Sequence, residues 1–417
     1  MTISMELDTA SKMFAIDNLF NITGYIDSSI KTSDIIEDKF RVLIDTFPEL
    51  KHKITKADTT VLMEPVSINI KEHYTVKKDS AEKFDTYTKL VEQTPFKSDV
   101  QWFIYLVEDD ENKKYRFYFK MNHAYADGAR IIEMVNVFYS IKKDKEIILR
   151  SIPLLDTLYY LIIGTLLILY DSLKTFLTIF TRSYPIYTNE TDTIRLTFDI
   201  ETIKGFAKKS SATINDVLYL VMLRADKLYF GEREIVSLSP VKVKGSLNNN
   251  LSIITIQSKN TGELDEIHEK FNTLKYSLYI PIISFIINTV GGLLPLQVIK
   301  GISDYMLNNI DYVYTNVIGP ASSGLGVQGP ASSGLGVQGP ASSGLGVQGP
   351  ASSDININFQ ITPRNKEIIF NVISCYSLIN ITCSFKEGVI SDKERYEKCI
   401  REAYEEITSS RQPSTVS

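Results

Sequence analysis

The sequence predicts a mixed α/β protein built as two domains. Two local patterns give the class. Phe117, Phe119 and Met121 alternate with Arg116, Tyr118 and Lys120, the period of a half-buried strand. Just downstream, Ile131, Met134, Val135 and Phe138 recur at helical spacing, so a strand passes almost directly into a helix. The length of 417 residues suffices for two ordinary cores. Residues 184–193 are polar and lack apolar periodicity, so they are the expected linker, dividing the chain into 1–185 and 186–417.

In the first half, Ile36, Phe40, Leu43 and Ile44 share one helical face. Phe47-Pro48-Glu49-Leu50 ends that helix, because proline disfavours helix at the residue before it. Phe103 to Val107, just after Trp102, is rich in aromatic and β-branched residues and reads as a strand. The polar turn Asp109-Asp110-Glu111-Asn112 then makes residues 100–121 a hairpin that delivers His123. Trp102, the only tryptophan, is either a core anchor or part of the wall of a tunnel. Residues 152–180 are strongly apolar. Leu158 to Tyr170 carries no charge and is bounded by Asp156, Asp171 and Lys174. A bilayer span needs about 20 apolar residues, so a buried helix or an interfacial one is expected here.

In the second half, Ser211 to Leu223 begins as a capped helix, with Thr213 or Asn215 as the cap. Residues 235–260 hold two strand-like runs separated by Lys242 to Asn250, and Leu264 to Ser277 is helical. Tyr276 to Ile299 has no charged residue. Pro281, Pro295 and Gly291-Gly292 interrupt it, leaving an expected helix from Ile282 to Leu294. Two such segments point to a lipid substrate or to peripheral membrane association. Asp311 to Pro320 reads as a strand ended by Gly319-Pro320. Its Asn316 offers an amide that either polarises a carbonyl or holds a loop. The decapeptide Gly-Pro-Ala-Ser-Ser-Gly-Leu-Gly-Val-Gln starts at Gly319 and recurs unchanged at Gly329 and Gly339, with a partial copy from Gly349 to Ser353. Uncharged and rich in Gly, Ser and Pro, residues 319–353 are expected to form a flexible insertion, with a short solenoid as the alternative. Strands at 354–359 and 367–374, a hairpin over 371–385 and a helix from Asp392 to Ile407 complete the chain.

The chemistry concentrates in Met121-Asn122-His123-Ala124-Tyr125-Ala126-Asp127-Gly128, where the strand hands over to the helix. A side chain there can face a cleft while its backbone is held. A neutral imidazole suits a general base. Asp127 is expected to anchor the loop through an arginine or backbone N–H groups. Gly128 is expected to allow a sharp turn and to keep the space beside the imidazole open.

Net charge is −5 with no basic block, which argues against nucleic-acid binding. Cys375, Cys383 and Cys399 lack metal-ligand spacing and a disulfide pattern, so no metal is expected and a reducing, intracellular compartment is. No secretory signal is read at Met1 to Asp8.

An H-x-x-x-D-G loop at a strand end, here His123, Asp127 and Gly128, resembles the acyl-CoA-dependent acyltransferases related to chloramphenicol acetyltransferase and to peptide-synthetase condensation domains. Asn215-Asp216 before an apolar helix, then Asn316-Val317-Ile318-Gly319-Pro320 at a strand end, narrow the similarity to the wax ester synthase/diacylglycerol acyltransferase family. Asn122 stands where that family usually has a first histidine, Val100-Gln101 replace a Pro-Leu before Trp102, and Ile318 replaces a proline. The resemblance implies two chloramphenicol acetyltransferase-like domains around a central tunnel. Acyl-CoA would enter from one side and a long-chain alcohol or diacylglycerol from the other. It implies His123 as catalytic base, with Asn122, Asp127, Gly128, Asn215, Asp216, Asn316, Gly319 and Pro320 as supporting residues and Trp102 as a tunnel candidate. Acyl-CoA is then a substrate and no cofactor is expected; a membrane or lipid-droplet surface is the expected location. The alternatives are a non-catalytic relative that binds an acyl lipid, and a protein anchored by its apolar segments.

Overall fold

The structure, a computed structural model, describes residues 5–7, 9–16, 21–56, 61–96, 98–141, 153–182, 186–187, 190–242, 251–320 and 355–409. The decapeptide copies from residue 321 onward lie outside these residues, as does the connection 243–250.

The first half opens with β1 (Met5–Glu6), α1 (Thr9–Ile16), β2 (Asn21–Ser28) and α2 (Ile36–Thr46). The expected apolar face of α2 is its buried face, and a 3-10 turn at Pro48–Lys51 follows it. Next come β3 (His52–Lys56), β4 (Val61–Pro65), β5 (Tyr74–Lys78), α3 (Phe84–Gln93), the hairpin β6 (Trp102–Asp109) and β7 (Lys114–Asn122), and α4 (Gly128–Phe138). A helical run, Leu154–Thr181, follows. It consists of α5 (Leu154–Tyr159), a π turn (Tyr160–Gly164) and α6 (Thr165–Thr181).

The second half runs β8 (Thr191–Asp199), α7 (Ile200–Lys209), α8 (Ile214–Phe230), β9 (Glu234–Lys242), β10 (Leu251–Lys259), α9 (Leu264–Tyr276), α10 (Tyr279–Phe285), α11 (Leu296–Asn308), β11 (Tyr312–Ile318), β12 (Ile355–Ile361), β13 (Ile368–Cys375), β14 (Leu378–Lys386) and α12 (Lys393–Ser409).

The strands form a five-stranded sheet, β12-β2-β7-β6-β5, a six-stranded sheet, β10-β9-β11-β13-β14-β8, and a small sheet, β1-β4-β3. β12 comes from late in the chain yet pairs antiparallel with β2, so a division at 185/186 leaves one strand in the sheet of the first half. The 184–193 stretch is partly outside the described residues, and Thr191 already belongs to β8.

β7 carries the site, and it is buried on both faces rather than half-buried. Phe117, Phe119 and Met121 enter the core under α2 and α4, as alternation requires. The second face is closed by α3. The Tyr118 hydroxyl donates to the Phe84 carbonyl, and the Lys120 ammonium donates to the Glu92 and Thr94 carbonyls at 2.7 Å each. Lys120 is thereby spent on the open C-terminal end of α3, which lets a lysine sit buried. Trp102 is a core anchor. Its indole N–H donates to the Leu50 carbonyl at 3.0 Å, and its ring stacks on His73 with centroids 4.3 Å apart.

The two apolar segments depart from expectation. Helix continues through both ends of Leu158–Tyr170 to give a 28-residue run, long and apolar enough to cross a membrane. Its buried stripe is narrow, Thr165, Ile168, Thr175 and Ile179. Leu155, Leu158, Ile162, Leu166, Leu173 and Leu177 face outward. The second helical run is Tyr279–Leu293, starting earlier than Ile282 because Pro281 sits in its first turn, where its missing N–H costs nothing.

Glycine matters where strands and helix converge. A Cβ on Gly24 would lie 2.5 Å from the Asn358 carbonyl oxygen and 2.6 Å from Phe119 Cζ. Gly24→Ala should therefore destabilise the fold by about 1–3 kcal/mol through overpacking. Gly205→Ala in α7, with nothing within 4 Å, should stabilise by about 0.4–1 kcal/mol. Denaturant unfolding of both variants checks the contrast.

Candidate active site

His123 follows directly on β7, in a loop that the backbone pins at both ends. Asn122 does the first part. Its side-chain oxygen accepts from the Ala124 N–H at 2.9 Å, its amide donates to Gln101 Oε1 at 2.7 Å, and its carbonyl accepts from the Tyr125 N–H at 3.0 Å. Tyr125 in turn donates its hydroxyl to the His52 carbonyl at 2.6 Å. The amide accepts from one backbone group and donates to a side chain at the same time.

Asp127 does the second part. It is the N-cap of α4 and accepts from the Arg130 N–H at 2.7 Å. Of the two expected partners, the backbone N–H is the one found. The Arg130 guanidinium instead pairs with Glu49 at 2.7 Å and Glu133 at 2.9 Å. Gly128 has ordinary backbone angles, so a sharp turn is not its role. A Cβ there would lie 2.8 Å from Val317 Cγ2 and 3.1 Å from Phe359 Cζ. Glycine at the first residue of α4 lets the ends of β11 and β12 come close to the His123 loop.

His123 itself is only 6% exposed. The ring of Phe14, from α1, stacks on the imidazole with centroids 4.0 Å apart and planes 26° apart. Burial pushes the pKa of His123 down to about 4, with its own backbone and the Asp127 carboxylate opposing weakly. The ring is neutral at physiological pH and keeps one nitrogen able to accept a proton.

The other motif residues form a second cluster. Thr213, not Asn215, caps α8, in a reciprocal box with Asp216: the Asp216 N–H donates to Thr213 Oγ1, and the Thr213 N–H donates to Asp216 Oδ2. Asp216 Oδ2 also meets His268 Nδ1 at 2.7 Å. Asn215 is left to receive β11: its side-chain oxygen accepts from the Asn316 amide at 3.0 Å and from the Tyr314 hydroxyl at 3.2 Å. Asn316 thus ties β11 to the first turn of α8. Gly319 donates its N–H to the Ser374 carbonyl at 2.8 Å, and the Pro320 carbonyl accepts from Tyr376 N–H at 2.8 Å. A Cβ on Gly319 would lie 2.1 Å from that Ser374 oxygen. These two residues fasten the end of β11 to β13.

Asn122, His123, Asp127 and Gly128 are therefore one unit, and Asn215 with Asn316 another, with Val317 against Gly128 as the link. Asp216 serves the start of α8 and His268. Sequence reasoning missed Phe14, Gln101 and His268. Phe14 carries no local signal, since only the tertiary fold brings α1 over the loop. Among the described residues no group of three or more His, Cys, Asp or Glu is arranged to hold a metal ion. The three cysteines are free and buried, and burial pushes the Cys375 thiol up to about 12, which leaves it a poor nucleophile at neutral pH.

Burial of His123 has a measurable consequence. With the folded pKa below the unfolded value, the unfolded chain takes up the proton first as pH falls. The stabilisation is whole above pH about 6.5. It is lost on the way down to about 4. Wild-type unfolding midpoints should drop across that window, and less steeply in His123→Gln; equal slopes would contradict a buried neutral imidazole.

No protein-family model matches the chain, and no curated protein matches it in sequence. Solved structures do match in fold. The wax ester synthase/diacylglycerol acyltransferase from Marinobacter aquaeolei VT8 superposes with a TM-score of 0.57 at 12% identity, over 97% of this chain and 98% of that one. The trichothecene 15-O-acetyltransferase from Fusarium sporotrichioides gives 0.62 at 9% identity, over 98% and 96%. The starter condensation domain of rhizomide synthetase, in complex with C8-CoA, gives 0.59 at 10% identity, over 97% and 94%. The buried strand, the pinned histidine loop and the strand exchanged between halves thus belong to a chain that shares its mixed α/β fold with these solved structures.

Proposed function

We propose that this chain is an acyl-CoA-dependent O-acyltransferase with His123 as general base. The observation that carries the reading is the loop geometry: a buried, neutral imidazole between Asn122 and Asp127, on a strand end that β11 and β12 approach closely. Likeness in fold to proteins named for acyl transfer supports it. The acceptor hydroxyl gives its proton to His123. Its oxygen attacks the thioester carbonyl, a C–O bond forms, the C–S bond breaks, and the CoA thiolate leaves with the proton from the imidazolium. Acyl-CoA and acceptor reach His123 through a tunnel between the two domains. A long-chain alcohol or diacylglycerol is the acceptor, a choice supported by the amount of apolar surface the chain exposes.

The same surface supports a peripheral membrane location. Twenty of the twenty-eight exposed large apolar side chains among the described residues lie on Leu154–Phe180 and Leu278–Ile302. The long helix lies on the bilayer rather than crossing it, because its inner stripe is tied to the fold. The Leu278 N–H donates to Thr165 Oγ1 at 2.9 Å, and Asp171 pairs with Lys270 at 2.9 Å. Leu166→Glu combined with Leu173→Glu should greatly reduce flotation with phosphatidylcholine vesicles, and alkaline carbonate should release the wild type.

The test of activity is thiol release from a long-chain acyl-CoA with dodecanol or diacylglycerol present. Acceptor-dependent release should fall by about 10²–10⁴-fold in His123→Ala, the usual worth of a general base. Near-wild-type release from that variant would overturn the assignment. Acyl-CoA binding without release under any condition would favour the non-catalytic acyl-lipid-binding alternative.

A further inference from the structure

We infer that α1 is a cover over His123, seated through Phe14, and that contact of the neighbouring apolar surface with a lipid bilayer displaces it. The inference rests on the acyltransferase reading and adds a means of regulation to it.

Three observations meet at α1. Phe14 lies stacked on the imidazole that must receive a substrate hydroxyl. A general base has to come within hydrogen-bond reach of that hydroxyl, and an imidazole 6% exposed under a stacked phenyl ring gives little approach. The cover is also not part of either large sheet. α1 packs on α11, on the π turn Ile286–Val290 and on β4. Finally, those same supports carry bare apolar surface on their outer side. Leu296 and Ile299 of α11 enter the core cluster that Phe14 and Ala15 join, while Val298 and Ile302 face outward. Next to them Ile286 and Val290 are exposed, and Leu293 is 82% exposed. One segment thus touches the cover on its inner face and solvent on its outer face.

A bilayer is the occupant that fits this outer face. It continues into the outward stripe of Leu154–Thr181, where Asp156 and Lys174 are the only exposed charges. Two tyrosines, Tyr159 and Tyr170, stand exposed on that stripe, a residue type favoured where apolar and wet phases meet. A protein partner of this size would be expected to meet a polar rim and about one hydrogen bond per 100–200 Å². This face is a broad run of Leu, Ile and Phe. Lipid contact draws Leu293, Val290 and Ile286 outward. The support beneath α1 then shifts, and Phe14 leaves the imidazole.

The test uses the full chain and a water-soluble pair, butyryl-CoA with hexanol, with and without phosphatidylcholine vesicles. Wild type should release thiol at least fivefold faster with vesicles. Phe14→Ala should be fast without vesicles and gain nothing from them. Phe14→Leu, which keeps an apolar cover, should retain the vesicle response and shows that the site survives substitution. Equal rates for wild type with and without vesicles, together with an unaccelerated Phe14→Ala, would overturn the cover. A vesicle-insensitive dimer in sedimentation would assign the face to a second copy and overturn it as well. Histidine ring NMR separates this inference from the acyltransferase reading, with His123→Gln giving the assignment. Asp127, the charge that acts on the imidazole, is on its own loop and is unchanged by substitution at Phe14. Vesicles, or Phe14→Ala, should raise the His123 titration midpoint toward the ordinary value; an unmoved midpoint contradicts the cover even in a protein with no turnover. Absence of thiol release in every arm, with the midpoint moving as expected, would reject the acyltransferase reading and leave the cover standing.

Discussion

The packing around Phe359 is the constraint on which the rest of the molecule depends. Its strand, β12, is the piece of the second half that completes the sheet of the first. The ring fits because Gly24 and Gly128 leave room on either side, Cβ atoms there falling 2.7 Å from Phe359 Cβ and 3.1 Å from its Cζ. Its carbonyl accepts from the Asn371 amide of β13, and Asn371 also receives the Thr315 hydroxyl of β11. One residue therefore ties the β7 sheet, the start of α4 and the six-stranded sheet together. A densely packed interior transmits a shift at any of these to the others, so the histidine loop is held by both halves of the chain.

The loop is held without an ion pair of its own. Asn122 uses an amide and Asp127 caps a helix, while the charged Arg130 is turned away to Glu49 and Glu133. The imidazole consequently sits in an apolar setting, covered by Phe14 and biased to its neutral form. That bias has a cost in basicity, since a base works best with a pKa near the operating pH. Uncovering the ring restores solvation and raises its basicity, so one movement both admits the substrate and strengthens the base.

What the sequence disclosed follows from how local each signal is. The β6–β7 hairpin, the handover at His123, the capped start of α8 (between Thr213 and Asn215) and the closing strands are set by residues a few positions apart, and all were legible. The helix of Leu154–Thr181 was underestimated because its bounding charges, Asp156, Asp171 and Lys174, were read as ends. A helix absorbs them: Asp171 finds Lys270 across the surface, and Lys174 and Asp156 face water. Gly128 was understood as a turn residue because close approach by Val317 and Phe359, nearly two hundred residues away or more, leaves no trace beside it. The same holds for Phe14 over His123 and for Asn215 bonded to Asn316. A motif names its members, but only the fold states whom each one touches.

Product analysis from a carbonyl-labelled long-chain acyl-CoA and dodecanol tests the central claim most directly. Direct transfer governed by His123 predicts one labelled ester for each CoA released by the wild type, and about 10²–10⁴-fold less of both from His123→Ala. Labelled free acid in place of ester, or equal ester from the variant, would contradict it.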